Sequence, residues 1–437
     1  MTMFGWSRIA RIGLVQASLG AIVVLITSVL NRVMIVELAL AAAIPGAMVA
    51  GHYFIQFTRV RTGYGSDRTA RRTPWIAAGM LLVAASGVAA ALGTAWIATA
   101  GTVAVLATGG ACLMLGVGVG LAGTPLLALL AERTAEARRG PAAALVWLMM
   151  IAGFAITAGV VGRLLDPFSM ARLVAVSGGV SMVAIVVTLL ALWGLEGEGG
   201  GLPPAAEAAV PFRVALAALW QERQARRFAT FVFVAMLAYS AQDLILEPFA
   251  GTVFGLTPGE TTRISGMQHG GMFVGMVGTA FATRKGAHLT RWAAAGCVAS
   301  AVGFGVLIMA GLGQTTSLLR VGVLAMGVAN GVFAIGAIGA MIALVNQPGR
   351  REAGVRMGLY GTAQAVAFGV GGFAGAALSD VGRALWGSPA LGYAGVFLLE
   401  AMLFVLAAWF VGRTAPAAPA ARVGLDRDGD SLLAAVG

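Results

Sequence analysis

The sequence predicts an all-α polytopic membrane protein, with twelve transmembrane helices in two six-helix bundles. Three observations carry that expectation. Hydrophobic residues make up 59% of the 437-residue chain against 11% charged, and mean hydropathy is +0.89. A soluble core of this length cannot hide so much apolar surface, whereas lipid accepts it. The apolar residues are gathered in stretches near the roughly 20 residues that one helical crossing of the hydrocarbon needs. The basic residues, finally, collect in alternate loops between those stretches.

The expected spans are 12–33, 39–57, 74–97, 101–130, 142–163, 171–194, 227–247, 264–283, 292–312, 319–345, 357–378 and 391–412. The first is too long, and too closely followed by others, for a cleaved signal peptide. With the N-terminus placed in the cytoplasm, 23 of the 29 lysines and arginines fall on the cytoplasmic side, leaving Arg32, Arg163, Arg172, Arg263, Arg320 and Arg383 outside. That bias sets both termini on the cytoplasmic side of a bacterial inner membrane. The net charge of +11 is almost wholly arginine, Lys285 being the one lysine. These arginines form no continuous stripe, so no nucleic acid partner is expected, and the lipid bilayer is the first partner. Cys112 and Cys297 fall in spans of opposite halves, and no disulfide is expected between them.

Six spans precede residues 195–226 and six follow. That segment opens with Glu196-Gly-Glu-Gly-Gly-Gly-Leu-Pro-Pro, a run unable to form a helix. From Pro211 to Arg227, Phe212, Leu216, Leu219 and Trp220 alternate with Arg213, Glu222, Arg223, Arg226 and Arg227. The pattern predicts an amphipathic helix lying on the cytoplasmic membrane surface, with a docking site for a soluble partner as the competing reading. It would link an N-terminal bundle (1–194) to a C-terminal bundle (227–413). Residues 414–437, rich in Ala, Pro and Asp, are expected to be a disordered cytoplasmic tail.

The loop after the second span reads Gly63-Tyr-Gly-Ser-Asp67-Arg68-Thr-Ala-Arg71-Arg72. Glycine lets two helices approach at a tight turn, and Asp67 is placed to cap the next helix or to pair with an arginine across the bundle. In its place within a six-plus-six layout, this loop resembles the Gly-x3-Asp-Arg-x-Gly-Arg-Arg signature of the major facilitator superfamily, with Ala70 where glycine is usual. The equivalent loop of the second half, Gly278 to Gly286, lacks the acid. Gly118-Val-Gly120-Leu-Ala-Gly123 matches the dinucleotide-binding pattern but lies inside an apolar helix with no strand before it. It is expected to serve helix contact instead, as are Gly116/Gly120, Gly271/Gly275, Gly327/Gly331 and Gly371/Gly375.

Catalysis finds no foothold: there are three histidines, no Cys/His cluster of metal-ligand spacing and no nucleophile beside a base, so neither an enzyme nor a metal site is expected. Ionisable groups in spans are costly and are therefore functional candidates. The densest run is Tyr239-Ser-Ala-Gln242-Asp243-Leu-Ile-Leu-Glu247-Pro248-Phe249. Asp243 and Glu247 share one helical face, and Asp243 lies about 24 Å along its helix from Arg227, toward the outer surface. The first span ends comparably, in Asn31-Arg32 followed by Glu37. In the superfamily layout the first and seventh spans take equivalent places beside a central cleft. Arg32, Glu37, Asp243 and Glu247 are therefore the expected outer gate, with Arg32 pairing to Asp243 or Glu247; the competing reading has each meet headgroups or water. His52, His269, Asn330 and Gln364 also lie within spans. A neutral imidazole can hold a metal, including the magnesium of a chlorin ring, although magnesium prefers oxygen and a lone membrane histidine is more often a hydrogen-bonded packing residue.

Five stretches resemble one family within that superfamily. They are Arg11-Ile-Gly-Leu-Val-Gln16, Leu30-Asn-Arg-Val-Met-Ile-Val-Glu-Leu38, Gly63-Tyr-Gly-Ser-Asp67, Ala238-Tyr-Ser-Ala-Gln-Asp-Leu-Ile-Leu-Glu-Pro-Phe249 and the Gly358-to-Asp380 segment. The family is PucC/LhaA, the bacteriochlorophyll delivery branch found in photosynthetic bacteria, and the compact chain is most similar to members labelled as a bacteriochlorophyll synthase subunit. The resemblance implies an assembly factor for light-harvesting and reaction-centre complexes in the intracytoplasmic membrane, one that handles bacteriochlorophyll or shepherds antenna polypeptides. It implies bacteriochlorophyll as the cofactor and antenna polypeptides, the reaction-centre core or a pigment-synthesis enzyme as partners; on their own chemistry within spans, His52, His269, Asn330 and Gln364 are the candidate pigment-binding residues. The alternative is a proton-coupled secondary transporter of a small molecule, with Asp243, Glu247 or Glu132 carrying the proton. A receptor or scaffold that keeps the fold without moving is a third reading.

Overall fold

The computed structural model describes residues 3–58, 66, 69, 71–135, 138–196, 220–283, 288–345 and 353–413. Within them the chain is helical from end to end. Helix α1 runs Trp6–Val24 and continues as two π-helical segments, Leu25–Leu30 and Val33–Glu37. There follow α2 (Ala43–Phe54), α3 (Thr73–Ala100), α4 (Thr102–Arg133), α5 (Arg139–Leu164) and α6 (Met170–Leu192), then α7 (Arg223–Phe254), α8 (Pro258–Thr283), α9 (Leu289–Leu312), α10 (Thr316–Val345), α11 (Ala353–Trp386) and α12 (Pro389–Gly412). Ten of the helices are long and apolar enough to cross a membrane. The other two are α2, only 12 residues before its 3-10 continuation Ile55–Thr58, and α8, which carries Glu260, Arg263, Gln268 and His269.

The packing repeats itself. In the first half α1 packs on α5 and α6, α3 on α4 and α6, and α2 on α4. In the second half α7 packs on α11 and α12, α9 on α10 and α12, and α8 on α10, the same pairs moved on by six helices. The contacts between halves obey the same shift, α5 meeting α8 and α2 meeting α11. Two large apolar cores result, one built from α1–α6 and one from α7–α12, each borrowing a single residue, Leu244 and Ile151, from the other half, and a small third cluster of Ile35, Ala42 and Ala376 joins the halves. Large apolar side chains such as Leu106, Ile156, Met182 and Met309 stay exposed, as lipid-facing positions do. Helices that alternate in direction bring α1 in and α12 out at one face, here the terminal face; α1, α5, α7 and α11 end at the opposite, distal face.

Several expected boundaries need correction: the first span starts at Trp6 rather than 12, the eighth at Pro258 rather than 264, and the eleventh ends at Trp386 rather than 378. The second span starts at Ala43 rather than 39, because the chain leaves α1 through Ala39, a residue with φ of +52°. The seventh begins at Arg223, four residues inside the expected linker, and it does not stop at Pro248 but continues to Phe254. Proline removes one backbone donor and so frees the carbonyl four residues earlier, that of Leu244; the bundle interface supplies another donor, described below. Residues 211–219 of the expected amphipathic helix and the tail 414–437 lie outside the described residues.

Candidate functional site at the distal seam

The two halves meet along α1 against α7 and α8, α5 against α8, and α2 against α11. At each meeting the polar contacts lie near the distal face. The π-helical end of α1 sets the first. A π turn spaces its hydrogen bonds five residues apart and widens the helix, and here it directs Ser28, Asn31 and Arg32 into the seam, all buried. The Asn31 amide Nδ2 donates to the Leu244 carbonyl at 2.6 Å, replacing the donor that Pro248 lacks. Removing it as Asn31→Leu is expected to cost about 1–3 kcal/mol, the penalty of a buried orphan carbonyl, read as a lower unfolding midpoint of the purified protein.

Arg32, 2% exposed, forms an ion pair with Glu37 and donates from Nη2 to the Leu256 carbonyl at 2.6 Å. Two glycines make room for this. A Cβ on Gly251 would stand 3.0 Å from Arg32 Nη2, and Gly255 takes φ of +66° where the chain turns out of α7 toward Leu256. The expected pairing of Arg32 with Asp243 or Glu247 is thus corrected: neither acid forms an ion pair with it. Glu247 is buried among hydroxyls, 3.3 Å from Thr261 Oγ and 3.4 Å from Thr262 Oγ. Asp243 is half-buried, within electrostatic reach of His269.

Two further contacts close the same face. Arg263 of α8 reaches Asp166, just past α5, at 3.0 Å and the Gly162 carbonyl at 3.2 Å, while Thr257 Oγ donates to Asp166 at 3.1 Å. The carboxylate of Asp380 on α11 accepts from the Ala43 backbone N–H at 2.9 Å, at the N-terminus of α2 where a negative charge is favoured, and pairs with Arg383. The sequence pattern does not single out Asp166, Arg263, Asp380 or Arg383 as site residues. Its one signal was that Arg32, Arg263 and Arg383 are among the six arginines on the wrong side of the charge bias; each of the three is held by a carboxylate.

Of the terminal-face motif, Gly63, Asp67 and Arg68 lie outside the described residues and Arg71 is exposed. Arg72 grips Glu132 with two nitrogens, Nε at 3.1 Å and Nη2 at 2.5 Å, and Ser66 Oγ with a third at 2.9 Å. Glu196, at the start of the linker, accepts from the backbone N–H groups of Arg72 and Thr73 at 2.9 and 2.8 Å and so caps α3. Lysine cannot reproduce a planar two-pronged grip. Arg72→Lys is therefore expected to lower stability by about 1 kcal/mol, with Glu132→Gln removing most of the difference between the two in a double-mutant comparison.

The four candidate pigment residues sit on four different helices. His52 places Nε2 3.1 Å from the Gln56 amide nitrogen. Asn330 accepts from Ser300 at 2.9 Å and donates to Gln242 at 3.2 Å, bridging α9, α10 and α7. Gln364 is half-buried on α11. His269 has Nδ1 2.8 Å from the Ser265 carbonyl and the Phe154 ring edge-on at 5.1 Å. A backbone carbonyl only accepts, so Nδ1 carries a proton, and in a neutral ring the lone pair would lie on Nε2.

This architecture, two sets of six helices repeated about a polar seam, is the major facilitator fold. The D-xylose-proton symporter shares it with a TM-score of 0.71 at 15% identity over 94% of this chain and 98% of its own, and the nucleoside transporter NupG with 0.70 at 13% over 93% and 99%; such identities show the fold alone. The family model for PUCC protein matches residues 29–417, and the chain belongs to that family. Relatives in Rhodobacter capsulatus include the bacteriochlorophyll synthase 44.5 kDa chain, 44% identical over 96% of this chain and 98% of the relative, and protein PucC, 29% identical over 92% and 91%.

Proposed function

We infer that this protein is an assembly factor for photosynthetic light-harvesting and reaction-centre complexes, binding or delivering bacteriochlorophyll, antenna polypeptides or both, and catalysing no reaction itself. It would work in the inner, intracytoplasmic membrane with both termini cytoplasmic, which makes the distal seam periplasmic. One observation carries the reading: similarity along nearly the whole chain to a relative named as a chain of bacteriochlorophyll synthase. The polar groups agree with it. Glu132, one of three acids that a proton-coupled transporter would have available, is held by Arg72, and Asn330 is spent on joining helices.

Among the candidate pigment ligands, His269 fits the chemistry best. An axial imidazole must offer a lone pair, and a hydrogen bond from its other nitrogen to a carbonyl fixes the tautomer and raises its basicity. His269 has that arrangement, whereas His52 Nε2 already faces an amide. When bound, the pigment would supply a magnesium ion short of one ligand; the protein's part is to hold and release it.

Purification in mild detergent tests the reading. Bacteriochlorophyll absorbance, antenna subunits or a pigment-synthesis enzyme should co-elute, and His269→Leu should lose pigment that His52→Leu keeps. A colourless preparation without partners, which concentrates a soluble substrate in proteoliposomes, would overturn it in favour of a secondary transporter. That second reading draws on the buried acid Glu247 at the seam.

A further inference from the structure

Glu247 sits among hydroxyls and forms no ion pair: its nearest guanidinium, that of Arg32, pairs with Glu37. Thr261 and Thr262 lie 3.3 and 3.4 Å from Glu247 Oε2, yet each hydroxyl has one proton and a nearer acceptor, the Pro258 carbonyl at 3.1 and 2.8 Å. Each threonine proton is closer to the Pro258 carbonyl, so Glu247 receives only long contacts from the two hydroxyls. Across the seam Ser28 Oγ and Ser265 Oγ are 3.4 Å apart and sit beside the same carboxylate. Two more buried oxygens, Glu247 Oε1 and Asn31 Oδ1, have no hydrogen-bond partner among the described residues. The neighbouring guanidinium of Arg32 is already committed to Glu37 and the Leu256 carbonyl.

We propose that Glu247, Asn31 and the hydroxyls of Ser28, Thr261 and Ser265 bind a monovalent cation of sodium's size, which fastens α1 to α7 and α8. The spacing supports it. Oxygens 3.3–3.4 Å apart are too distant for good O–H···O bonds, which centre near about 2.7–2.8 Å. In an octahedral cage, adjacent oxygens are separated by √2 times the metal–oxygen distance. An ion of calcium's size, bound at about 2.4 Å, gives an edge of about 3.4 Å, and sodium has nearly the same radius. A single carboxylate, with Arg32 close by, suits one positive charge rather than two. Of the other titratable groups nearby, Asp243 on α7 is half-buried, and His269 on α8 is oriented by Ser265. The inference stands whatever the cargo.

Thermal unfolding of the full-length protein in detergent at pH 8 tests it, with sodium chloride replaced by choline chloride at constant ionic strength. Sodium should raise the midpoint in a saturable way that choline does not match. Glu247→Gln, which keeps shape and hydrogen bonding but loses the charge, should show no response to sodium. Should that variant fail to fold, Ser265→Ala carries the test, its half-maximal sodium concentration rising roughly tenfold for the loss of one ligand. Identical midpoints for the unaltered protein in sodium and choline would overturn the proposal, and so would a sodium response retained in Glu247→Gln or unchanged in Ser265→Ala.

Discussion

Gly331→Leu should fail to accumulate as a folded, monodisperse protein. A Cβ on Gly331 would stand 2.2 Å from the Met272 carbonyl oxygen, and one on Gly327 2.2 Å from that of Gln268. From the opposite side, Gly275 would meet the Val328 carbonyl at 2.2 Å and Gly271 that of Leu324 at 2.7 Å. Four glycines thus let the backbones of α8 and α10 touch. In lipid, such contact is what holds helices together, since burying apolar side chains gains nothing over leaving them in hydrocarbon. Forcing extra carbons into a packed core typically costs about 1–3 kcal/mol when side chains can give way. Here the obstructing atoms are backbone, so the whole helix must move and the cost falls at or above the top of that range. Gly278→Leu, on the partner helix α8 but exposed with nothing within 4 Å of its Cβ, should be nearly neutral. Size-exclusion profiles of the two variants in detergent decide the point: similar profiles would mean that the α8–α10 contact contributes little.

This contact was legible in the sequence because a four-residue glycine spacing defines one helical stripe whatever the tertiary structure, and Gly271/Gly275 and Gly327/Gly331 do face each other. Number and order of the helices were legible for a related reason: hydropathy responds to the bilayer itself, and most of the chain is in contact with lipid or with other apolar helices. Polar α8 and short α2 show the limit of that signal. Their walls are partly other helices, so neither composition nor length had to meet the demands of lipid.

Partners across the seam were not legible. Asp166 and Arg263 are 97 residues apart, and nothing in either local pattern announces the other. The continuation of α7 past Pro248 was hidden for the same reason, since the donor that satisfies Leu244 comes from Asn31, 213 residues away in sequence. The Arg32–Glu37 pair escaped for a local reason. Five residues on an α-helix of about 3.6 residues per turn lie roughly 140° apart, so an α-helical reading turns the two away from each other. In the wider π turn they come back onto one side, and the pair is a product of the π-helical geometry that the sequence pattern did not disclose.

Glu37→Ala should destabilise the protein more than Arg32→Met, although both break one ion pair. The asymmetry follows from burial. Arg32 has 2% of its side chain exposed and Glu37 34%. Without Glu37, the guanidinium keeps its bond to the Leu256 carbonyl but loses its ion-pair partner in a buried seam, a situation that costs about 3–5 kcal/mol. Without Arg32, the Glu37 carboxylate can hydrate where it stands, Met fills the space of the arginine stem, and the main loss is one orphaned carbonyl, about 1–2 kcal/mol. The double variant Arg32→Met/Glu37→Ala should consequently be more stable than Glu37→Ala alone. Denaturant titration in detergent micelles, followed by tryptophan fluorescence, gives the three midpoints, and the reverse order would show that the charge of Arg32 is satisfied by something other than Glu37. The same order should appear in how readily water reaches the seam. A seam that has lost Glu37 is closed by a helix end carrying a bare charge, and hydrating that charge favours separation of α1 from α7. A cysteine placed at Ser28, buried in the closed seam, should therefore react faster with a water-soluble maleimide in the Glu37→Ala background than in Arg32→Met, against little background from the native thiols, because Cys112 and Cys297 are both buried.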